Sequence, residues 1–165
     1  MSAPPTVSAL PEKFVREALK LEHQLCFALY SASGAMTRAY RDLLAPIGLT
    51  YPQYITMMAL WETAPRTVSS IASSVCMESG TITPLLKRLE AQGLVTRRRD
   101  DGDERRVLVD LTPKGDQLRY EAARVPIGIV GKLGGSRTEL VELLSRVKAF
   151  TRDLAAPADE AASDK

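Results

Sequence analysis

The stretch SGTITPLLKRLEAQG, residues 79–93, decides the fold together with the residues that follow it. Its apolar residues fall on one side of a helix, and they are Ile82, Leu85, Leu86 and Leu89. The opposite side carries Ser, Thr, Lys and Arg, and Gly93 suits the position just beyond a helix C-terminus. Pro84 leaves two possibilities for the start of this helix. Either Thr83 is the N-cap and Pro84 the first helical residue, or the helix starts earlier and its first turn is distorted. We expect the earlier start.

After Gly93 the apolar pattern changes to a period of two, which is typical of strands. Residues 94–99 and 105–111 are predicted strands, and Val107, Val109 and Leu111 share one face of the second. The polar residues 100–104 form the turn between them. The sequence therefore predicts an amphipathic helix followed by a β-hairpin with an arginine-lined stem.

The residues before this stretch predict further helices. Apolar residues from Phe14 to Leu43 recur at steps of three and four, which predicts one long helix from Pro11 to Ala45. The alternative is a break near Ser33 and Gly34, with the helix folding back. Two shorter helices are expected, at 54–62 and at 68–75, because Pro52 and Pro65 interrupt the pattern.

The residues after the hairpin also predict helices. Thr112 and Pro113 are typical of an N-cap and a first helical residue. The fifth helix that they open must be bent or interrupted by Pro126, Gly128 and Gly131. Residues 136–139 form a capping box, and a final helix follows with an apolar seam of Leu140, Leu143, Leu144, Val147, Phe150 and Leu154.

Composition limits the classes of protein that remain. The chain has 165 residues, 45% hydrophobic and 25% charged, which favours one domain, at 11–155, with loose tails at 1–10 and 156–165. No apolar run approaches a membrane span, and residues 1–10 have neither a basic patch nor an apolar stretch that could serve as a signal peptide. A cytoplasmic protein without a membrane partner is therefore expected. Two cysteines and one histidine argue against a structural disulfide and against a zinc site. We expect no metal and no cofactor.

The length of the first helix predicts a homodimer. A helix of about 34 residues is ~51 Å long, whereas a compact protein of this size is roughly 40 Å across. Its apolar stripe continues to both ends and needs a cover from outside the protomer. We therefore expect residues 11–45 and 113–155 to form a helical dimerisation region around a twofold axis.

The order helix, turn, helix and basic hairpin is typical of a winged helix-turn-helix, here at residues 51–112. The predicted fold is mainly α with a small β-hairpin wing. Double-stranded DNA is the expected partner, although a solvated, ion-paired turn would also explain the acidic residues of the hairpin. The candidate DNA contacts are Ser79, Thr81, Thr83, Lys87 and Arg88 on the helix, with Arg97, Arg98, Arg99, Arg105 and Arg106 supplying the charge of the hairpin.

Cys26 is expected in the middle of the long helix, either as a buried, inert residue or as a reactive thiolate. Tyr40 lies 14 positions later on the same face, ~21 Å away, so only a dimer could bring the partner's Tyr40 to the sulfur. With no helix N-terminus, Lys or Arg nearby, phenol hydroxyls are the evident donors. His23 suggests a Cys-His dyad, but no third orienting group is evident. Cys76 is interpreted as a packing residue beside the DNA-reading helix, where modification would disrupt binding in principle.

Four segments carry a resemblance to a known family: EHQLCFALY at 22–30, GLTYPQY at 48–54, residues 79–89 and the wing motif at 103–105. Together they resemble the MarR family of winged-helix repressors and, within it, the organic hydroperoxide-sensing branch. The similarity covers residues 17–112 well and the C-terminal helices loosely. The cysteine in its Gln-Leu-Cys-Phe-Ala-Leu-Tyr context is specific for that branch, whereas the wing motif marks the broader family.

The resemblance implies a homodimeric repressor that binds operator DNA while Cys26 is reduced and releases it when an organic hydroperoxide oxidises Cys26. It also implies that Tyr40 and Tyr51 of the other subunit hold the thiolate, and that Asp103 positions Arg105 on the wing. No second cysteine follows the wing, which departs from the two-cysteine members. A mixed disulfide with a low-molecular-weight thiol, a bond to Cys76 and further oxidation all remain open for Cys26.

Two other functions compete with this hypothesis. One is a DNA-binding repressor controlled by a small phenolic or lipophilic ligand in the dimer crevice. The other is an enzyme, a thiol peroxidase that turns over at Cys26. A peroxidase would need a resolving cysteine and would have no use for the basic wing, so we expect a protein that is not an enzyme.

Overall fold

The computed structural model describes residues 10–100 and 102–155. The predicted tails therefore lie outside the described residues, except for Leu10. The elements are α1 (Glu12–Ala18), α2 (Leu25–Leu44), α3 (Tyr51–Glu62), β1 (Arg66–Thr67), α4 (Val68–Ser74), α5 (Ser79–Ala91), β2 (Val95–Asp100), β3 (Asp103–Leu111), α6 (Pro113–Ala122), α7 (Arg124–Leu133) and α8 (Arg137–Ala155). Single 3₁₀ turns precede α2 and α3, at Leu21–His23 and Ala45–Ile47.

The prediction of one long N-terminal helix is wrong, because the chain leaves the helical conformation between α1 and α2. Lys20 and Gln24 have extended backbones, with ψ of 131° and 111°. Side chains serve as hydrogen-bond partners for the last backbone carbonyl groups of α1. Nδ1 of His23 lies 3.0 Å from the Glu17 carbonyl oxygen, and the Gln24 side-chain amide donates to the Ala18 carbonyl. No break occurs at Ser33 and Gly34, where α2 is continuous.

The length of the N-terminal helices does not by itself require a dimer. With 20 residues, α2 is ~30 Å long and need not extend beyond a protomer of this size. The prediction of a dimer now depends on exposed apolar side chains instead. On α1, α2 and the segment between them, more than two fifths of the side chain is exposed at Phe14, Leu19, Leu21, Leu25, Phe27 and Tyr30.

The centre of the chain forms the winged helix that the pattern predicts. Helices α3, α4 and α5 pack on a three-stranded antiparallel sheet of order β1-β3-β2. Strand β1 was not predicted, because two residues are too short to show a period. Arg66 pairs with Val109 of β3, which also faces Arg97 of β2. The hairpin of β2 and β3 is the wing.

The recognition helix α5 begins at Ser79 and contains Pro84, so the earlier start is confirmed. Its apolar side chains are buried in the core, and they are Ile82, Leu85, Leu86 and Leu89. Gly93 follows the helix with a φ of 71°, a conformation that glycine adopts without strain. The helix therefore presents its polar side away from the core.

Helix α6 is capped as expected. The Thr112 hydroxyl accepts a hydrogen bond from the Gly115 backbone at 3.0 Å, and Pro113 is the first helical residue. The interruption of this helix occurs at Ala123, ahead of Pro126, which lies in the first turn of α7, where a missing N–H costs little. Gly115 has no room for a side chain, because a Cβ there would overlap the Leu94 carbonyl oxygen.

The chain divides into two compact units, one ending at Ile129 and the other beginning at Val130. The second contains α8, whose capping box is confirmed: the Ser136 backbone donates to Glu139 at 2.6 Å, and the Glu139 backbone donates back to the Ser136 hydroxyl at 3.3 Å. The single domain at 11–155 stays a prediction. Within residues 10–100 and 102–155, none of the helices combines the length and apolarity needed to span a bilayer.

Candidate functional site

Cys26 lies in the first turn of α2 and is exposed, so the expected mid-helix position and the burial expected in the alternative are both wrong. The break after α1 creates this helix end, and no side chain of the described residues caps it. The first N–H groups of a helix lack intrahelical acceptors, and the helix dipole favours negative charge there. Phenols are therefore not the only groups that could stabilise a Cys26 thiolate.

The candidate tyrosines form a cluster at the other end of α2. The Tyr40 ring centroid lies 4.7 Å from that of Tyr51 and 6.1 Å from that of Tyr54. Burial raises the pKa of the Tyr40 phenol, and the neighbouring Tyr51 and Tyr54 raise it further. Tyr40 is thus a neutral O–H donor at neutral pH. Because Tyr40 and Cys26 share a continuous helix, ~21 Å of helix axis separates them within one protomer.

His23 has a structural role at the break between α1 and α2. Its Nδ1 lies 3.0 Å from the Glu17 carbonyl oxygen and 3.9 Å from the Glu17 carboxylate, and its Nε2 lies 4.0 Å from the carboxylate of Glu22. Both ring nitrogens are therefore directed at glutamates. The hypothesis of a Cys-His dyad gains no support from this geometry.

Cys76 is exposed, so its interpretation as a packing residue is wrong. It has a φ of 53° and lies just beyond the end of α4. Its backbone donates to Ser73 at 3.3 Å and that of Met77 donates to Ala72 at 2.9 Å, the bond pattern of a Schellman motif. The backbone requirement of this helix end, and not core packing, therefore determines the position of Cys76. Both cysteines are free thiols.

The polar side of α5 is available to a partner. Ser79, Thr81, Lys87 and Arg88 are exposed, and Thr83 is half-buried with its hydroxyl donating to the Ser79 carbonyl at 2.8 Å. Neither Lys87 nor Arg88 forms an ion pair with any side chain in the described part of the chain. This side combines short hydroxyl side chains with two cations, which can reach base edges and phosphates.

The wing carries arginines that its own acidic residues orient. Arg105 contacts Asp103 at 3.1 Å through both its backbone N–H and its Nε, yet 91% of its side chain is exposed. These bonds hold the pKa of Asp103 below its usual range, and the bond from the Arg105 side chain has the larger effect. Arg99 donates to the Glu104 carbonyl at 3.3 Å, and Nε of Arg106 lies 3.6 Å from Asp100.

Arg97 differs from these arginines because its partner lies outside the wing. Its guanidinium contacts the carboxylate of Glu90 on α5, with the Nη2 atom at 2.7 Å. Sequence patterns did not identify Glu90 as functional. The two residues are seven positions apart, and no helical or strand period joins them, because the chain turns from α5 into β2 between them.

Comparisons with known proteins identify the family. Residues 38–121 match the family described as Transcriptional regulator SarA/Rot. The organic hydroperoxide resistance transcriptional regulator of Bacillus subtilis (strain 168) is 45% identical over 136 residues, which cover 82% of this chain and 92% of that protein. The HTH-type transcriptional regulator TtmR of Methylorubrum extorquens (strain PA1) is 46% identical over 138 residues, covering 84% and 71%.

Solved structures agree with the sequence relatives. Reduced AbfR bound to DNA, a protein of Staphylococcus epidermidis, is 30% identical with a TM-score of 0.70, covering 86% of this chain and 99% of that one. A MarR-family transcriptional regulator from Rhodococcus sp. RHA1 is 25% identical with a TM-score of 0.72, covering 80% and 95%. The chain therefore belongs to the MarR-type winged-helix transcriptional regulators, in the family described as SarA/Rot.

Proposed function

We propose that the chain is a peroxide-sensing transcriptional repressor. As a homodimer with reduced Cys26 it binds operator DNA, and it releases the DNA when an organic hydroperoxide oxidises Cys26. The observation that carries the proposal is the exposed thiol in the first turn of α2, in a chain that also holds a complete winged helix. The relative from Bacillus subtilis is named for organic hydroperoxide resistance, which favours a thiol switch over control by a phenolic or lipophilic ligand.

The chemistry at Cys26 is a two-electron oxidation. The thiolate attacks the terminal oxygen of the hydroperoxide, the O–O bond breaks, and the alkoxide leaves and takes a proton to become an alcohol. Cys26 becomes a sulfenic acid, having given up the two electrons that the peroxide gains. The position of Cys26 at the N-terminus of α2 favours the anionic sulfur that this attack requires.

Two phenols of the second subunit complete the sensing site in this proposal. The partner's Tyr40 and the partner's Tyr51 donate O–H groups to the Cys26 thiolate. Support comes from the exposure of Cys26, from the ~21 Å of helix axis that keeps Tyr40 away within one protomer, and from the raised pKa of Tyr40, which keeps its proton in place. Oxidation removes the negative charge to which these phenols donate. The two subunits then change their relative position, so that their recognition helices no longer match the two half-sites of the operator.

The winged helix makes the DNA contacts. The hydroxyl groups of Ser79, Thr81 and Thr83 approach bases and phosphates, and Lys87 and Arg88 pair with phosphate or guanine. On the wing, Arg99 and Arg105 reach the backbone or minor groove, with Asp103 orienting Arg105. Such contacts predict a steep loss of affinity as salt rises.

The proposal also covers what happens to oxidised Cys26. Since no cysteine follows the wing, a low-molecular-weight thiol condenses with the sulfenic acid, which gives a mixed disulfide and water. The protein works in the cytoplasm and does not turn over peroxide. Steady consumption of cumene hydroperoxide beyond one equivalent per Cys26, with a thiol reductant present, would instead indicate a thiol peroxidase.

The test compares two cysteine variants in a DNA-binding assay before and after cumene hydroperoxide. We expect the wild type and the control Cys76→Ser to release a duplex that the reduced protein binds, whereas Cys26→Ser stays bound. Release of the DNA by peroxide-treated Cys26→Ser would show that another group senses peroxide. Titrating phenolic ligands against Cys26→Ser tests the ligand-controlled alternative in the same assay.

A further inference from the structure

The contact between Glu90 and Arg97 joins the recognition helix to the wing. Two hydrogen bonds and an ion-pair contact converge on one carboxylate. Nε of Arg97 donates to Oε2 of Glu90 at 2.8 Å, the Arg97 backbone nitrogen donates to Oε1 at 3.1 Å, and Nη2 lies 2.7 Å from Oε2. Both side chains are partly buried, with 24% of Arg97 and 36% of Glu90 exposed. Because the guanidinium and the backbone N–H of Arg97 reach different oxygens of the same carboxylate, the contact constrains direction as well as distance.

The position of the pair determines what it constrains. Glu90 lies in the last turn of α5, and Arg97 is the third residue of β2, where it faces the fully buried Val109 of β3. Between them the chain passes through Gly93 at a φ of 71° and through the buried Leu94 and Val95. The carboxylate therefore holds both the backbone and the side chain at the base of the wing.

The charge of Arg97 is neutralised by Glu90, whereas that of Arg105 on the same hairpin is exposed. Arg105 keeps 91% of its side chain exposed while Asp103 orients it, so its guanidinium remains open to an anion. Arg97 directs its Nε and Nη2 donors at Glu90, and the two charges cancel. A neutral, partly buried pair adds little attraction for phosphate.

We infer that Glu90 and Arg97 are positioning residues, which fix the angle between the recognition helix and the wing, and that Arg97 does not contact phosphate. The inference rests on the proposed DNA binding and revises the expected role of Arg97. It also assigns an acidic residue a favourable effect on DNA affinity. If Glu90 acted only by repelling phosphate, removal of its carboxylate would raise the affinity for DNA.

The experiment measures the affinity of the reduced full-length chain for one duplex across a series of salt concentrations. The probe is a roughly 30-base-pair duplex that the wild type enriches from a randomised pool, long enough for two half-sites one helical turn apart. The variants are Glu90→Gln, Arg97→Gln and the double variant, with Arg105→Gln as the matched control on the same hairpin. Thermal unfolding of each variant verifies that it is folded.

We expect Glu90→Gln and Arg97→Gln each to weaken binding about tenfold, and the double variant to be no weaker than either, because both remove the same interaction. Their dependence on salt should equal that of the wild type. For Arg105→Gln we expect weaker binding and a salt slope lowered by about 0.9 for each phosphate that the variant no longer neutralises. Tighter or unchanged binding by Glu90→Gln, or a lowered slope in Arg97→Gln, would overturn the inference.

Two conservative variants keep the inference testable if the neutral ones fail to fold. Arg97→Lys retains the charge but offers one nitrogen instead of a planar fork, and Glu90→Asp retains the carboxylate on a shorter side chain. Both should weaken binding with the salt slope unchanged, and wild-type affinity in both would overturn the inference. If the wild type itself enriches no duplex, the proposed DNA binding fails, which is distinct from a binding wild type with insensitive variants.

Discussion

The winged helix buries its apolar residues to a very different degree from the outer helices, which are α1, α2 and α8. In the winged helix, Met57, Ile82, Leu86 and Val109 are completely inaccessible. Helix α8 has no buried residue, and its seam leaves Leu143 57% and Leu144 53% exposed. One protomer is therefore sufficient to form the core of the DNA-reading unit. The apolar side chains that α1, α2 and α8 leave exposed support the proposed homodimer.

The largest effect is expected inside the winged helix. Replacing Leu86 by Ala removes buried apolar atoms and leaves a cavity, so the free energy of unfolding should fall by about 2–5 kcal/mol. Urea denaturation followed by circular dichroism measures this loss. The matched control is Leu144→Ala, studied at concentrations where protomers are separate, and it should cost less than about 1 kcal/mol. Equal losses would contradict the contrast between the two regions.

The second prediction concerns the association of subunits. Leu144→Asp places a charge on the exposed seam of α8 and should weaken the dimer at least about tenfold, because a charge is costly to bury without a partner. Sedimentation equilibrium measures the dissociation constant. Arg146→Gln on the same helix removes only an exposed ion pair with Glu142 and should change it little. A Leu144→Asp dimer as tight as the wild type would exclude α8 from the interface.

The third prediction concerns the start of α6. The Thr112 hydroxyl accepts from Gly115 and donates to the Gly93 carbonyl at 2.7 Å, which ties α6 to the end of the recognition helix. Thr112→Ala should lower the free energy of unfolding by about 1 kcal/mol. The control Thr151→Ala removes a hydroxyl bonded inside α8 to Val147 and should be neutral, because Ala is the better helix former. Both values come from urea titrations.

The smallest effect is in the titration of two exposed carboxylates. The pKa of Asp103 on the wing lies below its usual range because Arg105 donates to it, and the pKa of Glu139 in α8 lies below its usual range because Ser136 donates to it. A lowered folded pKa stabilises the fold above the ordinary pKa of the group, and the stabilisation is lost as the pH falls through the lower folded pKa. Carboxyl chemical shifts measured by NMR report both pKa values.

The variants separate the two carboxylates. Arg105→Gln should return the pKa of Asp103 toward its ordinary value and leave Glu139 unchanged, and Ser136→Ala should do the reverse. If Asp103 keeps its low pKa without the Arg105 guanidinium, the contact that orients the wing arginine is absent in solution.

Local patterns were sufficient for much of the fold. The buried face of α5, the caps at Thr112 and Ser136 and the two strands of the wing were predicted, because each depends on residues within a few positions of one another. The break before α2 was missed. Its apolar period continues through Leu21 and Leu25, and only the side chains of His23 and Gln24 reveal that the carbonyls of α1 end there.

The candidate site shows the same division. Cys26, Tyr40, Tyr51 and the arginines were identified from residue type and from family resemblance, and their roles remain predictions. The helix end beneath Cys26 was not predicted, because it depends on the missed break. Glu90 was not identified because it meets Arg97 only after the chain has turned from helix to strand.

The amino-acid sequence by itself determined the class of fold, the family and the residues that carry the proposed chemistry, because these depend on local periodicity and on residue type. Only the tertiary structure decided that Cys26 lies in the first turn of a helix, that Cys76 lies just beyond the end of another and that Arg97 pairs with Glu90. The physical reason is that hydrogen-bond partners across a turn or a helix end depend on distances in space. A pattern along one element does not record those distances.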